Sequence, residues 1–61
     1  MNILNEQEVE QKCKLGRVQR WRLEKRNLFP KRFRISERRI VWDEDEIDAW
    51  LEARKSERDA V

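Results

Sequence analysis

The sequence predicts an α+β fold: two short helices, a β-hairpin and a closing helix. Three observations carry this. Apolar residues recur at helical spacing before Pro30 and after Asp43, but alternate with charged residues between them. Pro30, the only proline, cannot sit inside a helix and pushes Phe29 toward an extended conformation. Capping signals stand at Asn5 and again at Asp43.

The first helix is expected over about residues 5–14. Asn5 caps it, with Glu8 three residues on as the second half of a capping box. Ile3 and Leu4 precede the cap, where either can staple onto Val9, and Val9 shares a face with Cys13. Gly16 lets the chain turn. A second helix is expected over about residues 17–26, with Leu15, Val18 and Trp21 at three-residue steps forming its buried side. Arg17, Arg20 and Glu24 then point outward. Two short helices joined by a glycine-containing turn have the outline of a helix-turn-helix.

The hairpin is expected over about residues 31–42. Phe33 and Ile35 alternate with Arg32 and Arg34; Ile40 and Trp42 alternate with Arg39 and Val41. Ser36, Glu37 and Arg38 form the turn, which leaves an apolar face of Phe33, Ile35, Ile40 and Trp42 and an arginine-rich one. The last helix is expected over about residues 43–55, capped by Asp43, with Glu44, Asp45 and Glu46 in the first turn where the helix dipole favours negative charge. Ile47, Trp50 and Leu51 give it a core-facing side. From Arg54 the pattern is lost, and a frayed tail is expected to residue 61.

Charge is distributed in blocks. The chain has 61 residues and a net charge of only +2, yet residues 12–39 hold twelve bases and two acids. Residues 40–61 hold eight acids and three bases. Such a basic block marks a surface for a polyanion. The competing reading is a solvated disordered stretch, which the regularly spaced Val18, Trp21, Phe33, Ile35, Ile40 and Trp42 argue against. Sixty-one residues make one domain, expected over residues 1–61, and so short a chain buries only about 60% of the surface its unfolded form exposes, so marginal stability is expected.

The chemistry of catalysis is missing. There is no histidine, a single cysteine (Cys13) without a base partner, and no glycine-rich phosphate loop. The expectation is a protein that is not an enzyme, with no metal, cofactor or small-molecule substrate. One lone thiol and the lack of a targeting or apolar spanning segment suggest a cytoplasmic protein and no membrane partner.

The order of elements, with "FPK" at Phe29 to Lys31 and "IVWDEDEIDAWL" at Ile40 to Leu51, resembles the phage excisionases and AlpA-type prophage regulators. Those families are related to the MerR-type DNA-binding domain and carry a segment like "FPKPVKLG…AWREEEVEAWI". The resemblance covers about residues 3–54 and admits two registers in the second helix. Against an AlpA pattern like "LSRSTIYRL", the stretch "LGRVQRWRL" (Leu15 to Leu23) puts Arg20 at a position that is usually apolar and buried. Against an excisionase stretch like "TVRRW", "RVQRW" buries Val18 and Trp21, as the face read above requires; this register is preferred.

The resemblance implies a small winged-helix-like domain that binds double-stranded DNA. The second helix would enter the major groove as a recognition helix, with the hairpin as a wing on the minor groove or backbone. An excisionase would bend attachment-site DNA and direct an integrase toward excision; an AlpA-type regulator would bind a promoter. A phage integrase and further copies of the chain on adjacent sites would be the protein partners, in a bacterial or phage-infected cell. The expected base contacts are Arg17, Gln19 and Arg20, in the first turn of the recognition helix. Lys14, Arg22 and Lys25 are expected on the DNA backbone, and Arg32, Arg34, Arg38 and Arg39 in the wing. The structural alternative for Arg20 is an i, i+4 ion pair with Glu24. Trp21, Trp42 and Trp50 are read as core rather than as base-stacking platforms. A protein-interaction module using the acidic last helix is the competing function.

Overall fold

The computed structural model describes residues 2–59. The chain runs β1 (Ile3–Leu4), α1 (Glu6–Cys13), α2 (Arg17–Lys25), β2 (Phe33–Ser36), β3 (Arg39–Asp43) and α3 (Glu44–Asp59). The strands form an antiparallel sheet in the order β1-β3-β2. The fold is α+β and winged-helix-like, with the β2–β3 hairpin as the wing.

Each helix start has a local cause. Asn5 Oδ1 accepts from Glu8 N–H at 2.8 Å while Glu8 Oε1 accepts from Asn5 N–H at 2.9 Å, a complete capping box. Lys14 closes α1 in the left-handed region (φ 61°), so the turn into α2 bends there rather than at Gly16. Gly16 has φ −68° and serves as the N-cap of α2. The far end of α2 closes with Asn27 at φ 59° and a Leu28 N–H to Leu23 carbonyl bond of 2.8 Å, a Schellman arrangement. Asp43 Oδ1 accepts from Asp45 N–H at 2.9 Å and so caps α3.

The core consists of Leu4, Val9, Phe29, Trp42 and Ile47, with Cys13, Leu15, Leu23, Trp50 and Leu51 packed partly buried around it. Trp50 anchors the Phe29–Pro30 segment: its Nε1 donates to the Leu28 carbonyl at 2.6 Å, and its ring meets Phe29 edge-to-face at 4.8 Å. The two family-like motifs, around Phe29 and around Trp50, therefore touch each other.

Several expectations are corrected. The strand at Ile3–Leu4 was not foreseen; it pairs Leu4 with Trp42 and Ile3 with Asp43. α3 continues to Asp59 instead of fraying at Arg54, because Glu52 to Arg58 are almost all good helix formers; residues 60–61 of the expected tail lie outside the described residues. Val18 (60% exposed) and Trp21 (45%) are not core. Leu15 precedes the cap of α2, so its spacing to Val18 and Trp21 says nothing about the helix phase. Arg20 and Leu23 turn inward instead.

The wing is corrected too. Phe33, Ile35 and Ile40 are exposed. A shared apolar face would need Phe33 opposite Trp42, but Phe33 lies opposite Val41 and Arg34 opposite Ile40, with a bulge before Ser36. A one-residue change of register exchanges the faces. Trp42 thus joins the core with Leu4, whereas Val41 is buried on the other face.

Candidate nucleic-acid interface

The turns of α2 fix which side chains meet solvent. With 3.6 residues per turn and Arg20 and Leu23 inward, the outward stripe is Val18, Trp21, Arg22 and Lys25, at i, i+3, i+4 and i+7. All four are exposed, with Arg17 and Gln19 exposed on either flank. Lys25 Nζ sits 4.0 Å from the centre of the Trp21 ring, so the lysine lies on the indole face. Gln19 Oε1 accepts from Gly16 N–H at 3.3 Å, which turns that oxygen back toward the cap.

Arg20 does not reach this face. It is 2% exposed; its Nε donates to the Leu15 carbonyl at 3.1 Å, its guanidinium pairs with the Glu6 carboxylate, and it lies 5.5 Å over the Trp42 ring. The expected base contact is instead a buried cation whose Nε and one terminal nitrogen bond within the protein and whose guanidinium lies over an indole. This burial fits the AlpA-like register, in which Arg20 takes a normally apolar inward position, and not the excisionase-like one preferred on the sequence.

One hydrogen bond links the wing to α2. Glu24 Oε1 accepts the Arg32 N–H at 3.1 Å and ties the foot of the hairpin to the helix. Between them runs a groove of about 430 Å³ lined by Arg17, Val18, Arg20, Trp21, Arg32 and Trp42 together with the carboxylates Glu6 and Glu24. Arg32, Arg34, Arg38 and Arg39 are all exposed along the hairpin, and Lys14 is exposed at the turn before α2. Lys12 is directed elsewhere: its ammonium pairs with Asp48 at 2.6 Å and Glu44 at 3.1 Å, which clamps α1 to α3. Hydrogen bonds to Asp48 and then Glu44 raise its pKa. The acidic start of α3 is thereby partly neutralised within the molecule. The Cys13 thiol is pushed above its ordinary pKa, chiefly by desolvation against the core.

Among the described residues no group of His, Cys, Asp and Glu is placed to hold a metal ion, and no helix is long and apolar enough to cross a membrane. The sequence reading missed Val18 and Trp21 as surface residues; helix phase groups them on one side without fixing which way it turns, and the signal that could have found them was the AlpA-like register, which turns Arg20 inward.

Two helices across a tight turn, a three-stranded sheet with a hairpin wing and exposed basic residues on both define a small winged-helix-like domain. Residues 2–55 match the family described as prophage CP4-57 regulatory protein (AlpA), and the chain belongs to that family. The family is one of non-catalytic regulators, and membership implies DNA binding. No curated protein matches the chain.

Proposed function

We propose that this protein binds specific double-stranded DNA and regulates prophage genes from a promoter, with α2 in the major groove and the hairpin on the flanking backbone. The observation that carries this reading is the exposure of Arg17, Arg22 and Lys25 on α2 and of Arg32, Arg34, Arg38 and Arg39 along a hairpin whose foot is tied to α2 through Glu24. Arginine and lysine there suit phosphates and guanine edges. Chemical-shift mapping of the labelled chain with duplex DNA tests it. Perturbations are expected along residues 17–25 and 32–40. Perturbations confined to α3 would overturn it in favour of a protein-interaction module.

The second reading is excision, in which the same surface binds attachment-site DNA and bends it for an integrase. Exposed Phe33 and Ile35 in the wing favour it, because apolar wedges entering a minor groove kink the duplex. An excision assay with integrase, run with and without this protein, separates the two readings.

A further inference from the structure

We infer that Val18 is a specificity-determining residue that reads the C5-methyl group of thymine in the major groove. The inference rests on the DNA-binding reading above and adds the chemical class of base that the surface selects.

Val18 is 60% exposed, more than any other large apolar side chain among the described residues. It sits on the middle line of the outward stripe of α2, opposite the inward Arg20 and Leu23. β-Branched residues are not chosen for helix propensity, so an exposed valine there gains nothing for folding. Scattered exposed apolar residues are ordinary on protein surfaces, but Val18 is not isolated. Trp21, one turn on, stands beside it at 45% exposure, held by the Lys25 ammonium against its ring. The two form an apolar ridge flanked by Arg17 and Arg22.

A duplex offers such a ridge one matching partner. Bases on either side of the ridge take phosphates or guanine. In the major groove the C5-methyl of thymine is the one apolar group that projects from a base edge. Val18, near the N-terminus of α2, lies where the side chains of a recognition helix reach base edges. Its two methyl groups are short and rigid, so they fit a methyl group without displacing the flanking arginines.

The test uses the full chain and duplexes enriched by it from a randomised library. Each thymine of the enriched sequence is replaced singly by deoxyuridine, which lacks only the methyl group, and affinity is read by fluorescence anisotropy. At least one replacement should weaken binding about fourfold, the value of one buried methyl group. Val18→Ala should lose a similar factor on the thymine duplex and be indifferent to that deoxyuridine. Circular dichroism of Val18→Ala checks folding, which alanine favours in a helix. An enriched sequence without thymine, deoxyuridine duplexes that bind as well as their parents, or a Val18→Ala protein that keeps the full penalty would each overturn the inference while leaving DNA binding intact. A chain that retains no duplex at all overturns both.

Discussion

Arg20 and Glu6 form an ion pair across α1 and α2 in which the arginine is buried and the carboxylate stands half in water, at 2% and 47% side-chain exposure. The pair joins the two helices that flank the turn, and the Arg20 bond to the Leu15 carbonyl holds the turn itself.

The two partners therefore respond differently to mutation. Glu6→Ala leaves a buried cation with one donor unpaired, which costs roughly 1–3 kcal/mol; water at the open rim keeps the loss at the lower end. Arg20→Met keeps the volume and leaves the half-exposed Glu6 carboxylate to water, but it also loses the bond to the Leu15 carbonyl, which should cost about 0.5–1.5 kcal/mol. Urea unfolding measures both. DNA affinity of Arg20→Met should stay at the wild-type level, and a large loss without unfolding would return Arg20 to the interface.

Trp50 makes a second, separable contribution. Trp50→Phe keeps a ring against Phe29 but loses the Nε1 bond to the Leu28 carbonyl, at a cost of about 0.5–1.5 kcal/mol. Phe29→Ala empties a fully packed position and should cost about 3–5 kcal/mol. Thermal unfolding should rank the two in that order. Equal effects would mean that the hydrogen bond, not the packing, holds the Phe29–Pro30 segment.

The features that local chemistry determines were legible in the sequence. The Asn5–Glu8 box and the Asp43 cap follow from residue types three apart or fewer, and both are present. What depended on distant partners was not legible. β1 is two residues long and exists only because β3 lies beside it. The inward turn of Arg20 depends on Glu6, fourteen residues upstream; the one available signal was the family pattern, which places an apolar residue there. The faces of the hairpin depended on a register that no turn motif specified, and the bulge near Ser36 is invisible to alternation. The basic surface was legible as a charge block, but which side of α2 presents it was not.

The wing gives a prediction about salt. Arg34→Ala and Arg39→Ala remove exposed charges from strands whose pairing uses the backbone, so the fold should be kept. Each lost phosphate contact should lower the slope of log affinity against log salt by about 1. A double mutant with an unchanged slope would take the wing off the DNA.

Lys14 is a place where the chain gives up stability. Its φ of 61° closes α1, and a left-handed conformation costs a non-glycine residue roughly 1–2 kcal/mol. Glycine carries no such penalty at a helix C-terminus. Lys14→Gly should therefore raise the unfolding free energy by about 1 kcal/mol, part of the gain being lost to the freer unfolded chain. If Lys14 also meets a phosphate, the same variant binds DNA more weakly while melting at a higher temperature.

Cys13 supplies the pH dependence. Burial against the core disfavours its thiolate and raises the pKa above the ordinary 9.0, outweighing the nearby charges of Arg20 and Lys12. The folded state thus holds this proton more tightly than the unfolded state. Its contribution to stability is complete below the unfolded pKa and is lost as pH rises through the folded one. Lys12, held above its ordinary 10.5 by Asp48 and Glu44, adds its own loss of stability at high pH, which the comparison with Cys13→Ala subtracts. Two measurements follow. The urea midpoint should decline above about pH 9, and more steeply than in Cys13→Ala. Alkylation by iodoacetamide should rise with pH at a higher midpoint in the folded chain than in the urea-unfolded one. Coincident midpoints would show the thiol to be as well solvated in the folded chain as in the unfolded one.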